Sequence, residues 1–348
     1  MPRPDALPAP LRSLLRHFRA QRPLRGGSLL VTIFGDAIAP RGGAVTLGSL
    51  IRLATPFGLT ERLVRTSVAR LAREGWLSTA RHGRRSEYRL SPQGSARFAE
   101  ATQRIYGPPH PPWDGRWTLL LLPAGKRRPK QVRETLRWLG FGQLSPNVFA
   151  HPGATAEQSR EWLRSLPGAA DALLLSSRAA EAAGERGLAA RGWDLEELGR
   201  RYRRFVQRFA ALEAVLRRTG LCGENAFLVR TLLIHEYRKI HLQDPLLPAK
   251  LLPADWIGTR AYELTRRIYA AVFARAEGYL SASARRLHAP LPAAAAAAVA
   301  RFGGLGARRS PARLSAGGYR SRVLPSRPSA RVPQAAQPPR TRRSPPAP

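Results

Sequence analysis

The sequence predicts an α+β chain in three parts: a basic helix-and-hairpin module at the N-terminus, a small α/β sheet in the middle, and an all-helical segment at the C-terminus. Three observations predict it. Between residues 28 and 90, helical stripes separated by turn residues lead into a short basic hairpin. Between residues 116 and 176, short apolar runs alternate with amphipathic stretches. From residue 193 to about residue 305, apolar residues recur every three or four positions.

Residues 1–23 mix Arg with Pro and read as a flexible arm. A first helix follows over 28–39, with Leu29, Leu30, Ile33 and Phe34 apolar, and Arg41-Gly42-Gly43 breaks it. Thr46 caps a second helix carrying Leu47, Leu50, Ile51 and Leu53, which Pro56 and Gly58 end. Thr60 opens a third helix that runs to Glu74 and closes at Gly75.

The third helix is two-faced. At 100° per residue, Leu63, Val64, Ser67, Val68 and Leu71 fall on one side. Arg62, Arg65, Thr66, Ala69 and Arg73 fall on the other, with Arg70 at the edge. Small residues let a helix enter the major groove, and Arg bonds guanine bidentately, so Thr60, Arg62, Arg65, Thr66 and Arg70 are candidate base readers. An amphipathic surface helix with a solvated Arg face has the same pattern.

The next stretch separates the two readings. Residues 76–80 read as a strand, Arg81-His82-Gly83-Arg84-Arg85 as a basic turn, and 86–90 as a returning strand. A basic hairpin directly after an Arg-faced helix is the winged-helix layout, assigned here to residues 24–106. Arg81, His82, Arg84, Arg85 and Ser86 would hold the wing on phosphates or in the minor groove. His82, alone at an exposed turn, reads as a polar contact.

Charge agrees with a polyanionic partner. The 348 residues carry a formal net charge of +35, and residues 1–105 hold 18 Arg against six acids. Only four of the 58 basic residues are Lys (126, 130, 239 and 250), a bias that GC-rich codons also produce. The single cysteine, Cys222, allows no internal disulfide and no cysteine zinc cluster, which fits a cytoplasmic compartment. Residues 1–21 lack the apolar core of a signal peptide, and no apolar run approaches the roughly 20 residues of a membrane span.

Residues 107–112, Gly-Pro-Pro-His-Pro-Pro, form a stiff linker. The middle domain, 113–192, opens with a buried strand over 116–122 that Pro123 ends. A helix over 129–139, a strand over 144–151, a helix over 157–166 and a strand over 172–176 follow, an order that suits a ferredoxin-like sheet. In the helical domain, 193–305, Leu195, Leu198, Tyr202, Phe205, Phe209, Leu212 and Leu216 make a heptad-like seam that serves as core or as dimer interface. Asp194 and Glu197 start it like a capping box. Leu228, Leu232, His235 and Leu242 share a second stripe, and His235 reads as a core histidine bonded to a backbone carbonyl. His241 is six residues from His235, so the pair lacks the spacing of a zinc-binding helix and no metal site is assigned. Residues 244–253 form a rigid loop, after which Asp255 caps the last long helix. Residues 306–348 hold ten Arg and no acid among many Pro, Ser and Gly, and read as a disordered basic tail.

Ordered matches run through residues 24–305. They include Phe34-Gly35-Asp36, Arg41-Gly42-Gly43, Glu61-Arg62-Leu63-Val64-Arg65-Thr66, Glu74-Gly75-Trp76-Leu77 and Pro112-Trp113-Asp114-Gly115-Arg116-Trp117. They continue with Leu139-Gly140-Phe141-Gly142, Leu232-Leu233-Ile234-His235-Glu236-Tyr237-Arg238, Asp244-Pro245-Leu246-Leu247-Pro248, residues 251–258 and Arg301-Phe302-Gly303-Gly304-Leu305. Together they resemble the PaaX-type phenylacetic acid catabolism repressors. The resemblance implies a cytoplasmic, homodimeric, non-enzymatic repressor of double-stranded DNA sites, with no cofactor, released by an aryl-CoA thioester such as phenylacetyl-CoA. The basic run Lys126-Arg127-Arg128 with Lys130 reads as a solvated loop or as a phosphate clamp, for the CoA diphosphate or for DNA backbone, with Lys126 and Arg128 the candidate effector contacts. His235, Arg238, Lys239 and Trp256 are candidate contacts beside the rigid loop. The family's middle domain also resembles a small CRISPR-associated nuclease fold, which raises metal-dependent hydrolysis as an alternative. Its first strand here ends in Pro123-Ala124-Gly125 without an acid, and Asp114 lies at the other end. An effector-independent DNA-binding protein is the third reading.

Overall fold

The computed structural model describes residues 7–22, 26–83, 85–123, 130–164, 166, 169, 171–218 and 220–305. Helix α1 (Ala9–Arg19) corrects the expected flexible arm. Its Leu11, Leu14, Leu15 and Phe18 are spaced by three and four and are buried. The Phe18 ring meets Phe57 and His235 edge-on. The Arg and Pro content obscured this stripe. Pro is tolerated in a helix's first turn, where its missing N–H would have no partner.

Helix α2 (Gly26–Ile33) does not run straight to residue 39 as expected. It widens into a π-helical turn at Phe34–Ile38 and tightens to a 3-10 turn at Ala39–Arg41. Gly42 and Gly43, at φ 84° and 68°, then reverse the chain. Strand β1 (Ala44–Thr46) follows, a short element hidden in what reads as a loop. Helix α3 (Leu47–Ala54) is capped by Thr46, which accepts from the Ser49 amide at 3.3 Å. Helix α4 (Glu61–Arg73) is capped by Thr60, which accepts from the Leu63 amide at 3.3 Å. Strands β2 (Leu77–His82) and β3 (Arg85–Leu90) form the hairpin, and β1 joins β3, giving an antiparallel order β1-β3-β2. Helix α5 (Pro92–Tyr106), capped by Ser91, was not anticipated.

The linker residues 107–112 have neither helix nor strand. They are anchored at His110, which donates through Nδ1 to the Leu247 carbonyl at 3.1 Å and accepts at Nε2 from the Thr259 hydroxyl at 3.0 Å. Beyond them come β4 (Trp117–Leu121), α6 (Lys130–Trp138), β5 (Gly142–Ser145), β6 (Val148–His151), α7 (Ala156–Arg164) and β7 (Leu173–Ser177). The strand expected over 144–151 is a hairpin instead, because Pro146-Asn147 is turn chemistry. The sheet order is β5-β6-β4-β7, with every neighbouring pair antiparallel. One face buries Leu120, Leu122 and Phe149 against Val132, Leu136 and Leu163. The other packs Trp117 and Ala150 on Ala189 of α8 (Ala182–Gly192) and on Leu247, Leu251 and Leu252. Helix α8 is rich in Ala and Gly and has no apolar stripe, so it gives no periodic signal.

Helices α9 (Leu195–Arg218), α10 (Gly223–His241), α11 (Ile257–Ser283) and the short α12 (Ala296–Val299) follow among the described residues. Asp194 Oδ1 accepts from the Glu197 amide at 2.9 Å. Leu198, Tyr202, Phe205, Phe209 and Leu212 are buried within this chain, as α9 packs on α10 and α11. Helix α10 is buried on all sides from Asn225 to His235 rather than along one stripe. Asp255 does not cap α11; Trp256 stands at that position and makes no side-chain cap bond. A single core runs from Leu11 and Phe18 through Phe57 and Val68 to Phe209, Leu232, Leu280 and Phe302, so the N-terminal module and the C-terminal helices form one body. No described helix is long and apolar enough to cross a membrane. The expected tail, 306–348, and residues 1–6 of the expected arm lie outside the described residues.

Candidate nucleic-acid interface

Helix α4 rests on α2 and α3. Val64, Ser67, Val68 and Leu71 are buried, while Arg62, Arg65, Thr66, Ala69, Arg70 and Arg73 are exposed on the opposite face. Four exposed side chains of this helix and its cap have partners. Thr60 uses its hydroxyl in the helix cap. Thr66 donates its hydroxyl to the Arg62 and Leu63 carbonyls at 3.0 and 3.1 Å. Arg65 pairs with Glu61 at 2.6 Å and Arg70 lies 3.7 Å from Glu74, both pairs half-exposed. The Arg70 guanidinium also lies where a side chain at Gly27 would have to sit. A glycine in α2 therefore leaves room for a cation of α4.

Arg81 and Arg85 are exposed at the hairpin tip, with Arg81 opposite the half-buried Ser86. His82 pairs across to Arg85 in the backbone register. Arg84 lies outside the described residues. The base of the hairpin is braced from the far end of the chain. The Leu287 amide donates to buried Glu87 at 2.7 Å, and the Thr46 amide donates to the Arg285 carbonyl at 3.0 Å. The Arg285 amide donates to Ser49 Oγ at 2.9 Å.

Beneath this surface lies a buried ionic cluster that sequence reasoning missed. Asp36, placed inward by the π-helical turn, is 3% exposed. Arg230 of α10 donates to its Oδ2 at 2.6 Å, and Arg301 to its Oδ1 at 2.9 Å. Tyr106 and Tyr269 donate hydroxyls to Oδ1 at 2.7 and 2.8 Å. Burial pushes the Asp36 carboxyl up, but Arg230, Arg301 and the Tyr106 bond outweigh it and hold the group below the usual carboxylate value. Glu277 of α11 bridges Arg230 and Arg41 at 2.5 Å each. The cluster joins the π-helical and 3-10 turns after α2 to α5, α10, α11 and residue 301 at one point. The sequence signals were Phe34-Gly35-Asp36, Arg41-Gly42-Gly43 and Arg301-Phe302-Gly303 among the family-like segments.

Among the described candidate effector residues, His235 and Arg238 meet at Thr32, while Lys239 and Trp256 have other partners. His235 is fully buried as a core histidine, with Nδ1 3.1 Å from the Thr32 hydroxyl. Arg238 donates to Thr32 Oγ1 at 2.8 Å and to the carbonyl and hydroxyl of Ser28 at 2.7 and 2.8 Å. Burial lowers its pKa to about 10. These two residues fasten α10 to α2. Lys239 points elsewhere, to Glu236 at 3.0 Å, and Trp256 stands edge-on to Tyr202. Lys126 and Arg128 lie outside the described residues. Asp114 is exposed and pairs with Arg116 at 3.5 Å. Among the described residues no group of three or more His, Cys, Asp or Glu could hold a metal ion.

Comparison with known proteins decides the lineage. Residues 25–94 match the family described as PaaX-like protein, 110–189 the PaaX protein central Cas2-like domain, and 193–282 the PaaX-like protein C-terminal domain. The chain is 37% identical over 302 residues to the transcriptional repressor PaaX of Escherichia coli (strain K12), covering 85% of this chain and 95% of that protein. The chain belongs to the PaaX family. An uncharacterized protein from Mycobacterium tuberculosis of known structure is 26% identical and covers 65% of this chain and 88% of its own, with a TM-score of 0.45. Within this PaaX-family chain, the first matched segment holds α2 to β3, and the third holds all of α9 and α10. The Asp36–Arg230 pair therefore links two separately matched segments.

Proposed function

We propose that this chain is a DNA-binding transcriptional repressor of the PaaX type. The observation that carries the reading is the exposed guanidinium face of α4, capped at Thr60 and followed by a basic hairpin. It occurs in a chain 37% identical to a transcriptional repressor. The fold is a winged helix whose α4 enters the major groove, with Arg62, Arg65, Thr66 and Arg70 at base edges. Arg81, Arg84, Arg85 and Ser86 steady the wing on backbone or minor groove. The middle sheet, with element order β-α-β-β-α-β and strand order β5-β6-β4-β7, is ferredoxin-like. The protein acts in the cytoplasm as a homodimer on a two-part operator and controls the catabolism of phenylacetate-like aromatics.

An aryl-CoA thioester releases it. Release requires that the effector bind a conformation of lower DNA affinity, and linkage then obliges DNA to weaken effector binding by the same factor. The shared core and the Asp36 cluster support such coupling, since displacing α10 or α11 displaces α2 and the seat of α4. The test is a gel shift with the full chain on the DNA upstream of its own gene, with and without a panel of CoA thioesters. The expected result is a sequence-specific shift that an aryl-CoA reverses. A chain that shifts random and upstream DNA alike is no repressor, and a specific shift that no thioester reverses removes the effector.

A further inference from the structure

We infer that a cleft between α9 and α10 binds a phosphate-bearing small molecule. The cleft measures about 170 Å³. Arg201, Arg204, Arg208 and Lys239 stand around an apolar floor of Phe205 and Ile240, and Glu236 supplies its carboxylate. Four cations thus face one acid. Glu236 divides itself between Lys239 at 3.0 Å and Arg208 at 3.6 Å. Arg201 spends its donors on neutral oxygens, the Gln243 amide at 2.6 Å and the Lys239 carbonyl at 2.7 Å. Arg204 reaches Glu197 only at 3.6 Å, and Glu197 already holds Arg200 at 3.0 Å. Among the described residues, the positive charge of the cleft is therefore left largely uncompensated.

Half of that charge is also recessed. Arg208 and Lys239 expose 31% and 26% of their side chains, so solvent screens them less than the arginines of α4, whereas Arg204 stands at the rim with 62% exposed. His17 of α1 feels the same charges: burial and Arg208 lower its pKa, Glu236 opposes them, and Lys239 lowers it further. Arginine forks match phosphoryl oxygens in shape as well as charge, and a lysine adds a point charge between them. A di- or trianionic phosphate group fits this balance. Recession favours a small molecule over the rigid backbone of a duplex, which meets protruding cations first. One residue from Lys239, Arg238 holds Ser28 and Thr32 of α2, so an occupant of the cleft would rest on the same helix, α10, that is fastened to α2. Assigning the occupant as the proposed acyl-CoA, through its diphosphate, rests on that effector reading; phosphate binding itself does not.

Calorimetric titration of the full chain with inorganic phosphate, inorganic pyrophosphate and adenosine diphosphate tests the inference. Pyrophosphate or adenosine diphosphate should saturate one site. Arg208→Gln, Lys239→Gln and the more exposed Arg204→Gln should each weaken it about tenfold while helicity is retained. Arg217→Gln, farther along α9 and paired with Glu213, should leave it unchanged. Affinity for the nucleotide as well as pyrophosphate identifies an ester ligand, and affinity for pyrophosphate alone an inorganic one. The inference is overturned by no saturable binding, by equal loss in Arg217→Gln, or by cleft variants that lower DNA affinity without any phosphate site being present. Failure of the gel shift with intact pyrophosphate binding would remove the repressor reading and leave the cleft.

Discussion

The arginines of α4 and those around Asp36 occupy opposite ends of the burial scale. Arg65 and Arg70 expose 56% and 55% of their side chains, whereas Arg230 exposes 1%. The acids beside them differ in the same way. Glu61 sits four residues from Arg65 on one helix and competes weakly for it in water. Asp36 is 194 residues from Arg230, and each leaves the other no aqueous alternative. Exposure leaves a guanidinium free to exchange its partner for a base or phosphate. Burial fixes it as part of the frame. The Arg230 ring contacts, with the charge over Tyr269 and Phe273 at 5.1 and 5.0 Å, complete that fixation.

The sharpest way to break this contrast is Asp36→Ala. It leaves Arg230 and Arg301 buried with one counter-charge fewer and removes the acceptor of two tyrosine hydroxyls. The expected loss is about 3–5 kcal/mol of folding stability, read by urea unfolding. A loss within about 1 kcal/mol would mean that water or rearrangement satisfies the arginines, and that the cluster is not the joint described here.

A second buried group adds a pH dependence. His241 accepts at Nδ1 from the Tyr237 hydroxyl at 3.0 Å and donates from Nε2 to the Arg104 carbonyl at 3.0 Å, tying α10 to α5. Burial, with the nearby charges of Arg104 and His110, lowers its pKa to about 3 despite the opposing Arg104 carbonyl bond. The unfolded chain binds this proton near pH 6.5, well before the folded chain does. The stabilisation from a neutral imidazole is therefore complete above pH 6.5 and declines steadily down to about pH 3. Its slope is about 1.4 kcal/mol per pH unit. Unfolding of the wild type and of His241→Gln at pH 7, 6 and 5 isolates it, and parallel profiles would show that His241 is already protonated in the fold.

At the exposed end, Arg65→Ala should cost about 1–3 kcal/mol on the cognate site if the guanidinium bonds a guanine bidentately, with little change in stability. Binding curves on cognate and random DNA decide this. Equal losses on both would make Arg65 a phosphate contact.

The same contrast explains what was legible. The α4 face was readable because its exposure follows the 3.6-residue period and its cap, Thr60, lies next to it in sequence. Thr46 was readable for the same reason. Asp36, Arg230, Glu277 and Arg301 were not, because partners far apart in sequence have no local period and look like any surface ion. The stripe of α1 was periodic, yet composition argued against it. Helix α8 lacked a stripe altogether. Lys239 was singled out, but its cleft partners Arg201, Arg204 and Arg208 sit on the polar side of a helix whose apolar seam drew the reading.

The smallest predicted effect tests whether exposure leaves Arg65 free to change partner. Glu61→Gln removes the carboxylate that holds Arg65 and also a negative charge facing DNA phosphates. Exposed pairs at this spacing are worth about 0.3–0.5 kcal/mol, so releasing Arg65 should tighten DNA binding about twofold. The helix loses a favourable charge in its first turn, which costs a few tenths of a kcal/mol in stability. The two effects therefore have opposite signs and are read separately, by binding and by unfolding. Unchanged or weaker binding would mean that the Glu61–Arg65 pair persists on DNA and positions the guanidinium. The exposed site would then work as the buried one does, with its acid as part of the frame.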